Sequence, residues 1–174
     1  GGVGKTTLAK KVYDDPLIMS QFDTRAWAVV SQEYQYKEML IHLLHCTDPT
    51  TTKLYSEDCG KLKAELRKRL LGRRYLLVID DIWSHEPWDQ IFQCFPNNIN
   101  GSRILITTRE KTEAEYAVQS SEGRYIHSSR FLDTQESRDL FETKVFGGKH
   151  SCKPEFEPIG RCIVKKCQGL PLAW

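Results

Sequence analysis

The heptapeptide Gly1-Gly2-Val3-Gly4-Lys5-Thr6-Thr7 constrains this chain more than any other feature of its 174 residues. Residues without a Cβ let successive backbone N–H groups curl around an anion, and the lysine and threonine that come next complete a grip on phosphate. Lys5 supplies a point charge to the β- and γ-phosphates, and the Thr6 hydroxyl is a ligand for Mg2+. A helix that opens directly on the loop turns its positive end toward the same anion. Gly1, Gly2, Val3, Gly4, Lys5, Thr6 and Thr7 are therefore read as nucleotide-binding, with Lys5 also catalytic. The full motif carries one more glycine, which falls before residue 1, as does the strand that leads into such a loop.

Beyond the loop, strand-like and helix-like stretches alternate. A helix is expected over Thr7 to Tyr13 and a strand over Arg25 to Val30. A helix on Met39, Leu40, Leu43 and Leu44 comes next, then a Pro-broken loop over 47–56. A helix carrying Leu62, Leu66 and Leu70 ends at Gly72. Tyr75-Leu-Leu-Val-Ile79 has no polar alternation, as suits a strand buried on both faces of a parallel sheet, and it runs into Asp80 and Asp81. Ser102 to Thr108 is a second buried strand that ends at Arg109, and Tyr125 to His127 reads as a short third. Asp133 with Glu136 three residues later has the pattern of a capping box, opening a helix with Leu140, Phe141 and Val145 on one face and Gly147-Gly148 at its end. A last helix, Pro154 to Cys167, is expected to turn Phe156, Ile159, Ile163 and Val164 inward.

In a parallel α/β sheet, ligands bind beyond the carboxyl ends of the strands. Thr6, Asp80, Asp81 and Arg109 all fall at such ends. Asp80 is the acid expected beside Mg2+ with Thr6. Asp81 is read as catalytic, orienting or deprotonating a water. Capping the next turn would be the better reading of the residue alone, but not after a phosphate loop at this distance. Arg109 can reach a γ-phosphate or form a surface ion pair, and spacing does not choose between the two. Trp27, Trp83 and Trp88 read as core, His127 as a partly buried strand residue, and Arg67-Lys68-Arg69 as a solvated helix face.

Composition narrows the partners. A net charge of +2 is too mild to argue for nucleic acid, and no stretch approaches the ~20 apolar residues a membrane span needs. Cys46, Cys59, Cys94, Cys152, Cys162 and Cys167 show no paired metal-ligand spacing and read as reduced thiols of a cytosolic protein.

Together these blocks resemble the NB-ARC domain of plant disease-resistance proteins that carry leucine-rich repeats. The resemblance rests on Gly1 to Thr7 with Leu8-Ala9, on Phe22 to Ser31, on Leu76 to Trp83, on Gly101 to Arg109 and on Gly169-Leu-Pro171-Leu-Ala173. Arg25-Ala-Trp27 and Trp83 are similar to the coiled-coil subclass. The implied fold is a three-layer P-loop α/β domain over residues 1–130, lacking its first strand, followed over 131–174 by the start of a helical ARC segment. In the implied sheet order the absent strand lies between the Ile104–Thr107 strand and Tyr125, so the 174 residues alone are expected to be poorly stable. The likeness implies that Arg109 senses the γ-phosphate and that Pro171 lies against the base. It further implies a cytoplasmic switch in which ADP holds a receptor closed. ATP then permits homo-oligomerisation and defence signalling, with at most slow hydrolysis. Intramolecular partners would be coiled-coil and leucine-rich-repeat regions outside the segment. A P-loop ATPase or kinase with steady turnover is the alternative, though no acceptor pocket is apparent in the sequence.

Overall fold

The computed structural model describes residues 2–30, 36–50, 54–97, 99–119, 125–147 and 154–171. They form two compact units. One is Thr6–Ile126; the other runs from His127 onward and includes the loop residues that end at Lys5.

The first unit is built on a three-stranded parallel sheet in the order β1-β2-β3, with β1 at Thr24–Val29, β2 at Tyr75–Ile82 and β3 at Arg103–Thr108. Arg25 lies opposite Leu76, and Leu77 opposite Ile104, so β2 is central. Five of its residues, Tyr75 to Ile79, are almost wholly buried, as an apolar run without alternation requires. On β1, by contrast, alternation is clear. Ala26 and Ala28 join the main core, while the Trp27 ring meets Tyr13 edge-on with centroids 5.5 Å apart. Tyr13 ends helix α1 (Lys5–Tyr13), and Arg25 clamps that end by donating to the Tyr13 carbonyl at 2.6 Å.

Two short or long helices follow in turn: α2 (Pro16–Met19) leads into β1, and α3 (Tyr36–Thr47) leaves it. Helices α3 and α4 (Cys59–Leu70) cover one face of the sheet. Leu40, Leu43 and Leu44 repeat at helical spacing, as do Leu62, Leu66 and Leu70, and all six are essentially inaccessible. Asp58 caps α4 by accepting the Lys61 amide. The basic run in α4 is only partly solvated. Arg69 pairs with Glu65 at 2.7 Å and also donates to the Leu44 carbonyl, tying α4 to α3. Helices α5 (His85–Phe92) and α6 (Lys111–Val118) complete the unit.

Tyr125 to His127 is not a strand. Tyr125 is 92% exposed, His127 is exposed, and among the described residues no strand lies beside them to pair with. An isolated extended segment has no ladder to hold it, which is why a β-rich tripeptide alone does not suffice.

The second unit contains α7 (Thr134–Phe146) and α8 (Glu157–Cys167). The capping box is present as expected: the Asp133 side chain accepts the Glu136 amide at 2.8 Å and the Glu136 carboxylate accepts the Asp133 amide at 2.9 Å. Gly147, at φ 66°, ends α7. The inward faces are narrower than the apolar residues suggest. Phe141 and Val164 are buried, but Val145, Phe156, Ile159 and Ile163 are exposed. Gly160 takes the inner position on α8, where a Cβ would stand 3.0 Å from the Phe141 ring. The two helices thus meet through a small residue rather than through the isoleucines on either side of it.

Arg130 grips Glu136 with two hydrogen bonds of 2.7 Å, and together with the Asp133 amide this holds the carboxyl at about 2, down from its ordinary 4.5. A carboxyl depressed in the folded state contributes stability that is complete above 4.5 and is lost as the pH falls toward 2. Protection of the first-turn amides of α7, with exchange rates corrected for the intrinsic pH dependence, is therefore expected to fall across that window, and in Glu136→Gln the dependence should flatten. Equal pH dependence in both proteins would remove the assignment.

Candidate nucleotide site

Gly2 and Gly4 both adopt left-handed backbone, at φ 82° and 90°, immediately ahead of α1. Leaving aside its chain neighbours, no atom lies within 4 Å of the place a Gly4 Cβ would occupy, so the backbone faces open space there. Lys5 is the first residue of α1, and Thr6 and Thr7 are next in its first turn. Gly1 lies outside the described residues, and Val3 is half-buried within the loop. Pro171 lies half-buried just past α8, in the second unit.

The acids do not simply extend β2; they interrupt it. The parallel register between β2 and β3 shifts between Ile79 and Ile82, and Asp81 sits at φ 61°, a left-handed conformation that non-glycine residues avoid. The irregularity points the two adjacent carboxylates at different partners. Asp80, 3% exposed, accepts a hydrogen bond from the Thr6 hydroxyl at 3.0 Å through Oδ1, which links the head of α1 to β2. The same oxygen accepts from the Thr107 hydroxyl of β3. Asp81 turns outward, and its two oxygens accept from Arg109 Nε at 3.1 Å and Nη2 at 3.2 Å. The Arg109 guanidinium lies over the Trp83 ring, with Cζ 4.4 Å from the centroid.

Four residues read at strand ends, Thr6, Asp80, Asp81 and Arg109, thus lie in one connected network. Two further members are not evident from sequence. Trp83, expected in the core, is half-buried and carries the arginine on its face. Thr107, which reads only as strand, has a buried hydroxyl that donates to Asp80 and accepts the Asp81 amide at 2.9 Å. Its place directly before the last strand residue is the one available signal. Thr107→Val would leave a buried carboxylate short of a donor and a backbone amide without its acceptor. It is expected to destabilise the domain by about 1–3 kcal/mol in urea unfolding, with Thr107→Ser close to wild type. An unchanged midpoint for the valine variant would show that the bridge contributes nothing.

The residues present suit a nucleotide with its divalent cation. The Thr6 hydroxyl and the Asp80 carboxylate bring hard oxygen donors together at 3.0 Å, the chemistry Mg2+ prefers. Among the described residues there is no cluster of three or more His, Cys, Asp or Glu side chains that would form a metal cage of the protein's own. Five described cysteines are free thiols. Among the described residues no helix is long and apolar enough to cross a membrane.

A parallel α/β sheet with a glycine loop opening its first helix, and a buried aspartate meeting that helix from the central strand, defines a P-loop nucleotide-binding domain. The chain belongs to the NB-ARC domain family, whose model matches residues 1–151. It is 42% identical over 99% of its length to a putative late blight resistance protein homolog, R1B-23, of Solanum demissum, covering 13% of that protein. Identity to late blight resistance protein R1-A of the same species is 41%, again over 99% of this chain and 13% of the relative. With a further putative late blight resistance protein homolog of that species the identity is 41% and the share of the relative 22%. The chain therefore spans between about an eighth and a fifth of these relatives, whose other regions lie beyond it.

Proposed function

We propose that this segment is the nucleotide-reading core of an intracellular plant disease-resistance receptor, a switch that is closed with ADP and competent to assemble with ATP. The observation that carries the reading is the continuous set of contacts from Thr6 through Asp80 and Thr107 to Asp81 and Arg109, in a chain of the NB-ARC family. The late blight resistance proteins among its relatives support the role in defence.

In this reading the backbone N–H groups of Gly1 to Gly4, with Thr7, cradle the phosphates, and Lys5 neutralises their charge. Thr6 and Asp80 would hold Mg2+, which when bound would supply positive charge against the phosphates. Asp81 orients a water, and Arg109 contacts the γ-phosphate that distinguishes the two nucleotides. Pro171 lies against the base. A contact available only with ATP shifts the population between two conformers, and slow hydrolysis resets it. Coiled-coil and leucine-rich-repeat regions of the whole receptor would be its intramolecular partners and its own copies the assembly partners.

The switch is tested by size-exclusion chromatography of the complete polypeptide with Mg2+ and either ADP or ATPγS. The ADP form should elute as a monomer, and the ATPγS form should assemble more readily. Identical elution with both nucleotides, each bound, would leave a nucleotide-binding domain that is not a switch.

A further inference from the structure

A carboxylate that acts on water does so best with its charge uncommitted, yet each oxygen of Asp81 already accepts from Arg109. The pairing is built in from both sides. The left-handed backbone at Asp81, with its amide fixed on Thr107, sets where the carboxylate points. The Trp83 ring supports the guanidinium from its face. Asp81 retains 29% of its side-chain exposure and Arg109 44%, so the pair lies open to solvent and to an incoming anion. A guanidinium bound in two places by a carboxylate presents the same fork to that carboxylate as to phosphate. A phosphate that takes this same Nε–Nη2 edge therefore competes with Asp81 for its two donors.

We infer that Asp81 is a specificity-determining residue of the site, holding Arg109 in reserve so that a γ-phosphate must win the guanidinium from it. This rests on the reading of Arg109 as the γ-phosphate contact. The competition has two consequences. The ion pair weakens ATP binding while leaving ADP untouched, and so sets the preference for the diphosphate. Moving Arg109 onto the γ-phosphate also releases both Asp81 oxygens from the ion pair, so the carboxylate gains its full accepting capacity when there is a γ-phosphate to act upon. Trp83 keeps the guanidinium between its two acceptors, because the ring face attracts the cation without consuming an N–H donor.

The test is a double-variant cycle in the complete polypeptide, titrating ADP and ATPγS in the presence of Mg2+ into wild type, Asp81→Asn, Arg109→Ala and the double variant. ADP affinity in the same titrations reports whether each protein is folded, and Arg109→Gln replaces Arg109→Ala if the latter is not. Asp81→Asn should tighten ATPγS by roughly three- to tenfold with ADP within about twofold, as expected for releasing a partly exposed ion pair. That gain should vanish in the Arg109→Ala background. An equal gain in both backgrounds would mean that a negative charge had merely been removed near the phosphates, and would overturn the inference. So would no gain from Asp81→Asn while Arg109→Ala still weakens ATPγS; that result spares the γ-phosphate reading. If Arg109→Ala leaves ATPγS binding unchanged, the reading of Arg109 itself fails.

Discussion

Lys5→Ala is expected to weaken nucleotide binding by the complete protein roughly ten- to a hundredfold, enough for purified material to lose its bound nucleotide. The magnitude comes from removing a charged donor from a phosphate grip. The rest of the grip, backbone N–H groups and a helix end, consists of partial charges that an alanine leaves in place. Lys5→Arg should restore little, because a planar fork does not substitute for a compact ammonium in a narrow loop. Chromatography of nucleotide released on denaturation compares the three proteins directly. Wild-type levels in the alanine variant would show that the loop does not bind phosphate in the way its sequence indicates.

The second large effect concerns Gly169, in the Gly-Leu-Pro block after α8. Gly169 has φ 75°, and a Cβ there would lie 2.2 Å from the Leu132 carbonyl oxygen. Backbone blocks it on that side, and the Leu132 amide donates to the Gly169 carbonyl at 2.9 Å, so the two segments cannot part without losing that bond. Gly169→Ala is expected to destabilise the second unit by roughly 3–5 kcal/mol, combining left-handed strain, overlap and a lost hydrogen bond. Gly147 is a matched comparison, with φ 66° and no atom within 4 Å of its would-be Cβ. Gly147→Ala should carry only the conformational penalty, about 1 kcal/mol. Hydrogen exchange across α7 and α8 measures both. Equal effects at the two positions would mean that conformation rather than close approach explains why glycine stands at 169.

The contrast between these glycines also marks what a sequence can show. Elements governed by local pattern are legible in it. The unbroken apolar run of β2, the leucine spacing of α4 and the Asp133–Glu136 capping box are each set by residues a few positions apart. Short helices with little apolar surface are not, since Ala117 is the sole buried residue among the eight of α6. On α8 the apolar residues are wide of the contact. The helix meets α7 at Gly160, and nothing local distinguishes that glycine from a helix-weakening one.

Of the candidate site, the loop, the acids and the arginine can be named from sequence because each residue type is tied to its chemistry. Their partners cannot. Whether Arg109 meets a phosphate or a carboxylate depends on the register break that turns Asp81 outward, and that break arises between β2 and β3, which are distant in sequence. Trp83 reads as core for the same reason: its partner Arg109 is remote in the chain, and only the folded sheet brings it over the ring.

Equilibrium binding of ADP and of ATP, each with Mg2+, to the complete nucleotide-stripped polypeptide tests the central claim most directly. Both nucleotides should bind, at about one per chain, and should compete for a single site. A folded complete protein that binds neither would contradict the claim.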